Sequence, residues 1–364
     1  MPRTVAVSRP GGSRTQPAWL LGMRDLQWRK RRFAVAILAT GLVFGLALLM
    51  TGIQASFDNE IDRTVNSFHA DAWVVPTGAL GAFTAPISFP AERANEVAKL
   101  SGVKSAAALA VANATTRDPE VKSINLVGIE PGKVGSPGPK ADRVLEQRGA
   151  AVVDDSLGLS VGDPISLDGK RFRVRATSHG LTHFAGVPTV TLTLAQVQKL
   201  RMNGSPLATG IVTKGIPTKP PPGMHILSNA QVREDLARPV AQAKQTITLI
   251  RSLLWLVAAG IIGAVLYLSA LERVPDFAVL KAIGVTTRAL MIALMIQALL
   301  LALVSVVVAI GFSILLSPAA AMSVEIPFSA YLTLAAVAIV VGVLASTLAL
   351  RRAVAVDPAM AFGG

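Results

Sequence analysis

Gly158-Leu159-Ser160-Val161-Gly162 has the spacing of a nucleophile elbow, in which a strand delivers a serine to a sharp turn and a helix leads away. Here Asp163-Pro164 and a hairpin pattern follow instead, so the glycines read as turn formers. His179 and His183 stand four apart, the spacing that sets two metal ligands on one helix face. Gly180 lies between them and no glutamate stands where a zinc-hydrolase motif requires one, so structural or surface histidines are the better reading than metal or haem ligands. The other histidines, His69 and His225, complete no set. The run from Gly128 to Lys133 is one residue too short for a phosphate-binding loop and continues into Val134. Without cysteine there is no disulfide framework and no thiolate nucleophile. The expected chemistry is therefore not catalysis: no metal, no directly bound cofactor, and any ATP hydrolysed by another chain.

What must be positioned is set by composition. Of 364 residues, 52% are hydrophobic and only 16% charged, with a mean hydropathy of +0.53, which points to a membrane protein. The net charge of +13 is uneven: residues 1–32 hold eight Lys/Arg against one acid. That excess abuts an apolar run rather than a base-reading element, so nucleic acid is not an expected partner.

The sequence predicts an α-helical membrane protein with four transmembrane helices plus one α+β extracytoplasmic domain between helices 1 and 2. Residues 1–32 form a basic cytoplasmic segment, followed by a first span at 33–52 and the outer domain at 53–246. A second span at 247–271, a cytoplasmic loop at 272–288 and a third span at 289–316 come next. A short external loop at 317–329, a fourth span at 330–350 and a cytoplasmic tail at 351–364 complete the chain. About 20 residues at about 1.5 Å each cross a hydrocarbon layer of about 30 Å. Arg29 to Arg32, Arg273, Lys281, Arg288, Arg351 and Arg352 mark one side, whereas 317–329 has no Lys or Arg. The positive-inside rule then puts both termini in the cytoplasm of a multi-pass cell-membrane protein. A twin-arginine signal at Arg31-Arg32-Phe33 is the rival reading, against which stand the length of the apolar run and the lack of a clean cleavage site.

Within the outer domain, strand patterns occur at 72–75, 124–127, 151–153, 165–167 and 172–175, the last two joined by Asp168-Gly169, a hairpin-turn dipeptide. Helical periodicity occurs at 91–100 and 194–201, and Pro/Gly-rich loops at 131–139 and 215–223. From Asn229 the pattern is helical straight into the second span, with Pro239 as a place for a kink or for a looser linker.

Two cytoplasmic segments carry the interaction signals. In Leu271-Glu272-Arg273-Val274-Pro275-Asp276-Phe277-Ala278-Val279-Leu280-Lys281-Ala282-Ile283-Gly284, Pro275 and Asp276 suit a helix start and Gly284 its cap. Phe277, Leu280 and Ile283 share a stripe that could enter a partner's groove or lie on lipid. Near the N-terminus, Leu21, Leu26 and Trp28 stand among Arg24, Asp25 and Arg29, the pattern of a membrane-surface helix or of simple positive-inside anchoring.

The run ERVPDFAVLKAIGVTTR resembles the signature of FtsX-like permeases, and Arg351-Arg352-Ala353-Val354-Ala355-Val356-Asp357-Pro358-Ala359-Met360 resembles the box that ends them. The start LGMRDLQWRKRRF is similar to that of the smaller DevC- and HrtB-type members, and the layout resembles MacB-type permeases. The resemblance implies the permease subunit of an ABC exporter of the mechanotransmission type, a homodimer paired with two ATPase subunits that bind ATP and Mg. The 275–284 helix would couple to the ATPase, with Glu272, Arg273, Asp276, Leu280 and Lys281 on matching positions; Val274, Pro275 and Phe277 depart from the family pattern. A hydrophobic or amphipathic substrate is implied. Related alternatives are a non-transporting transmitter that regulates an extracytoplasmic protein partner, and a lipoprotein-releasing permease. In the first span Gly41-x-x-x-Gly45 is a spacing that lets helices approach closely, including at a dimer interface. Protease added outside cells that lack an outer barrier should cut within 131–139 or 215–223; protection of both would overturn this topology.

Overall fold

A computed structural model describes residues 30–272, 275, 279, 286–317 and 324–353. The described residues divide into two compact units. The larger takes in Gly52–Thr248 and the 324–326 segment; the other holds the helical residues up to Thr51, from Leu249 to 317, and from Pro327 onward.

In the larger unit a mixed sheet runs in the order β12-β1-β11-β3-β4-β9-β5-β7-β6, with β8 beside β9. Its main strands are β1 (Ala72–Pro76), β3 (Ser105–Thr116), β4 (Lys122–Ile129), β5 (Ala150–Asp154), β6 (Pro164–Leu167), β7 (Lys170–Ser178), β9 (Val187–Thr193), β11 (Gly210–Lys214) and β12 (Met224–Ser228), with β8 at Thr182–His183. A separate two-stranded sheet joins β2 (Phe89–Pro90) and β10 (Leu207–Ala208). The long β3 serves two partners: Ser105 to Leu109 pair with β11, and Ala110 to Thr116 with β4. Because Thr116 also pairs with Leu167 of β6, strands β3-β4-β9-β5-β7-β6 close into a ring. Closure leaves this part of the sheet without a free edge.

Alternation along each strand sends side chains to opposite faces, and here both faces are buried. Val74, Ala108 and Ala110 join one core, which α2 (Arg93–Ala98) and α4 (Leu194–Arg201) cover through Ala94, Val97 and Leu194. Trp73, Val75, Ala107 and Leu109 join the other. That second core is completed by Leu145 of α3 (Pro139–Leu145), by Val65 near the end of α1 (Lys30–Ser67), and by Val232 and Leu236 near the start of α5 (Asn229–Leu271). Trp73 is fully buried and meets Phe68 and Phe83 edge-on at 5.0 and 5.6 Å. Its indole N–H donates to Asn229 at 2.8 Å, giving the buried polar tip a partner on α5.

The expected strands all form, and Asp168 and Gly169 take φ of 47° and 80° in the hairpin turn between β6 and β7. Gly158 and Gly162 also have positive φ, as turn formers do. The helix that carries the first apolar run continues to Ser67, and the loop at 131–138 leads at Pro139 into α3. Pro239 does not break α5, which is continuous from Asn229 to Leu271.

Among the described residues, three helices are long and apolar enough to cross a membrane: Phe33–Ser67, Asn229–Leu271 and Ile292–Leu316. A shorter apolar stretch, Phe328–Leu344, lies within α7 (Phe328–Ala353). The helix α6 (Thr287–Leu316) packs along α7, where Gly342 faces Ala298 and Ala302. On its other side α6 meets α1 at the two glycines. A Cβ on Gly41 would fall 2.6 Å from Val308 Cγ1, and one on Gly45 3.0 Å from Phe312 Cβ. Both glycines are thus occupied by a helix of the same chain. Gly260, on α5, has open space around it, with nothing within 4 Å of where a Cβ would stand. Gly41→Ala should therefore lower the thermal stability of the detergent-purified chain, by about 1–3 kcal/mol of overpacking. Gly260→Ala should leave it unchanged or raise it by up to about 1 kcal/mol through helix propensity; equal effects would refute this packing.

Candidate functional site

A dense set of directed polar contacts lies on α1 between Gly52 and Ser67, where three faces of one helix each hold a different segment of the larger unit. The first face is the stripe Gly52, Ser56, Asn59 and Arg63, spaced by four, three and four so that it lines up along the helix. The 324–326 segment lies on this stripe. Val324 Cγ1 and Ile326 Cγ1 would stand 2.5 and 2.8 Å from a Cβ on Gly52, so only glycine admits them. The Glu325 N–H donates to Ser56 Oγ at 3.0 Å. Its carboxylate accepts from Arg63 Nη2 at 2.7 and 2.8 Å and from Asn59 Nδ2 at 3.2 Å. Hydrogen bonding to the Arg63 guanidinium holds the Glu325 carboxyl below its ordinary value.

The second face points to α5. Asp58 pairs with Lys244 at 2.5 Å, and Asp62 with Arg233 at 2.5 Å, while Arg233 also donates to Asn66 at 3.1 Å. These rungs join the two helices along the length they share in this unit. Each pair is partly exposed, so each contributes no more than about 1 kcal/mol; their value is in fixing register.

The third face carries a buried carboxylate. Glu60 accepts from the backbone N–H groups of Ala185 and Gly186 at 3.2 and 2.9 Å. Phe184, Ala185 and Gly186 all have positive φ, which turns successive N–H groups inward as an anion-holding nest. Thr64 adds a hydrogen bond to the Thr182 carbonyl at 3.3 Å. A matching device occurs on α5, where fully buried Asp235 accepts from Phe83 N at 3.2 Å, from Thr84 N at 3.5 Å and from the Thr84 hydroxyl. Gly81 lies so close to this carboxylate that a Cβ would collide with it.

The chemistry of this arrangement is that of a clamp: two helices cross-tied by ion pairs, each holding a loop by a buried carboxylate.

Of the residues singled out from sequence, Glu272 is exposed just past the end of α5, and Pro275 and Val279 are helical and exposed. Arg273, Asp276, Phe277, Leu280, Lys281 and Gly284 lie outside the described residues, as do Arg24, Asp25, Trp28 and Arg29. His179 and His183 are separated by their surroundings. His179 is exposed and bonded to Asp155 at 2.6 Å, which raises its pKa. His183 is buried against Thr189 at 2.7 Å, and burial lowers its pKa to about 4. Glu60, Arg63, Asp235 and Glu325 were not singled out from sequence. The Gly52-Ser56-Asn59-Arg63 spacing was legible, but its partner stands 262 residues from Arg63.

Long apolar helices carrying a large α+β domain define a membrane protein with a substantial domain outside its helical unit. Comparison makes the class specific. Residues 249–358 match the family described as FtsX-like permease C-terminal. An uncharacterized ABC transporter permease of Mycobacterium tuberculosis is 41% identical over 343 residues, covering 94% of this chain and 98% of that one. The putative hemin transport system permease protein HrtB of Staphylococcus haemolyticus is 30% identical over 146 residues, 39% of this chain and 41% of that one. A fainter likeness, with a TM-score of 0.32 at 14% identity, covers 48% of this chain and 96% of the periplasmic region of MacB from Actinobacillus actinomycetemcomitans. The chain belongs to the FtsX-like permease family and is a membrane permease of an ABC transporter, a class that works with an ATPase component.

The folded chain holds the Glu325 proton less tightly than the unfolded chain, so acid favours unfolding. The pair's contribution should be complete above the ordinary carboxyl value of 4.5 and fade as pH falls below it toward the folded value. Arg63→Ala and Glu325→Gln should each remove that part of the acid dependence. Together they should cost no more than the larger single change, with a coupling of about 0.2–1 kcal/mol in thermal melts; strict additivity would dissolve the pair.

Proposed function

We propose that this permease is the membrane subunit of a mechanotransmission-type ABC exporter, converting ATP hydrolysis by a separate ATPase subunit into movement of its extracytoplasmic domain. In this reading α1, α5, α6 and α7 are four spans and both termini are cytoplasmic. Two copies of the permease pair with two ATPase subunits, which bind ATP and Mg. The segment from Glu272 to Gly284 docks on the ATPase, with Arg273, Asp276, Phe277, Leu280 and Lys281 supplying charged and apolar contacts. The substrate is hydrophobic or amphipathic and is expelled as the domain moves.

One observation carries the reading. Both α1 and α5 are unbroken helices that begin or end in apolar, span-length sequence and finish inside the core of the larger unit. There they are tied to each other by Asp58–Lys244 and Asp62–Arg233, and to the domain by Glu60 and Asp235. A helix transmits displacement along its axis only where its far end is fixed, and these contacts fix it. Flexible tethers would serve a permease whose outer domain merely decorates it.

Replacing Asp276 with Asn together with Leu280 with Ala should lower co-purification of the ATPase subunit while leaving membrane insertion intact; undiminished co-purification would remove the coupling role. In the intact complex, a candidate amphiphile should raise the ATPase rate. Stimulation only by an extracytoplasmic protein would replace export with signal transmission or lipoprotein release.

A further inference from the structure

The helical unit contains a cavity of about 190 Å³ between α1, α5 and the first turns of α7. Its inner wall is apolar: Ala47, Leu48, Ala330 and Leu334 are all buried. Arg251 and Trp255 close one side, one helical turn apart on α5, with the guanidinium 5.5 Å from the indole centroid. An arginine at the end of an apolar run ordinarily extends toward water. Here the stacking on Trp255, with a contact from Nη1 to Thr51 Oγ1 at 3.5 Å, holds the charge at the cavity wall.

The polar lining is asymmetric. The hydroxyls of Thr51 and Thr333 already donate to the carbonyls of Ala47 and Ser329, at 2.9 and 2.8 Å. They can accept from a ligand but have no proton to offer it, whereas the guanidinium brings a fixed positive charge to the cavity wall. Trp255 and Arg251 stand at the boundary of the apolar run Leu253 to Leu271, the depth at which tryptophan and arginine meet lipid headgroups. An apolar wall, a fixed cation and hydroxyl acceptors at that depth match one chemistry: an acyl chain joined to a phosphate that carries its own hydroxyls.

We propose that this cavity binds a membrane phospholipid with an anionic, hydroxyl-bearing headgroup, of the phosphatidylglycerol type, with its phosphate on Arg251 and its acyl chain along Leu48 and Leu334. The inference rests on the helical unit lying in a bilayer, but not on the direction or existence of export.

Trp255 supplies a local reporter, insensitive to lipid gathered by the basic N-terminal segment. The full chain is reconstituted in vesicles of unbrominated neutral lipid with small fractions of dibrominated phosphatidylglycerol or dibrominated phosphatidylcholine. The share of fluorescence due to Trp255 is taken from the difference between the wild type and Trp255→Phe. Half-quenching is expected at about tenfold less phosphatidylglycerol than phosphatidylcholine. Arg251→Gln should erase that preference, Arg251→Lys should keep most of it, and millimolar inorganic phosphate should not reverse it. Equal quenching by both lipids, or a preference that survives Arg251→Gln, would overturn the site. Reversal by phosphate alone would show a free-anion site instead and equally overturn the lipid proposal. Co-purification of the ATPase subunit with Arg251→Gln, scored on the same preparation, separates failure of this site from failure of the permease assembly.

Discussion

A carboxylate removed from water without donors is among the least tolerable groups a fold can contain, because the desolvation it suffers amounts to several kcal/mol. Glu60 and Asp235 are both buried, and each is satisfied by backbone N–H groups of a loop that would otherwise have no reason to approach the helix. The dependence runs both ways. Without the loop the charge is stranded, and without the charge the inward-turned N–H groups lose their acceptor. Much else in the larger unit follows from this mutual requirement. It holds α1 and α5 against the sheet, lets Val65, Val232 and Leu236 complete a core that the strands alone leave open, and brings Asn229 within reach of the Trp73 indole.

The helical unit obeys a different constraint. Between apolar helices in lipid there is little hydrophobic gain, so close packing of small residues has to supply association. Gly41 and Gly45 meet Val308 and Phe312 with no room for a side chain of their own, and Gly342 lies against Ala298 and Ala302. Buried Ser305 and Ser313 send their hydroxyls back to the carbonyls of Leu301 and Ile310, satisfying themselves within their own helix. The two units thus stand on opposite solutions to one problem: buried charge with directed donors in one, the absence of side chains in the other.

That contrast also explains what was readable in the sequence. Span-length apolar runs, the Asp168-Gly169 turn and the Thr193-capped helix at 194–201 are local patterns, each decided within a few neighbouring residues, and they were legible. The β3 strand was not, because Ser105 to Thr116 is mostly alanine and threonine without a strong apolar alternation; pairing with β11 and β4 on either side makes it a strand. The clamp was legible only in halves. Ser56, Asn59 and Arg63 share a visible helical stripe, but nothing near them names Glu325, and nothing near Glu60 names the 184–186 loop that closes over it. The family motif stood in the 272–284 segment, whereas the α5 contacts of the clamp lie near the start of α5, which a short motif does not describe.

The loop at 184–186 has a consequence of its own. Phe184 and Ala185 occupy left-handed backbone that residues with a Cβ leave when nothing retains them, at a cost of roughly 1–2 kcal/mol each. Their conformation is therefore conditional on the position of Glu60, which sits on a helix rather than on the sheet that carries the loop. A turn or slide of α1 that withdrew the carboxylate would leave the Ala185 and Gly186 N–H groups without this acceptor. The shape of the loop thus depends on where a helix places one carboxylate, so that the position of α1 and the surface at 184–186 are tied together.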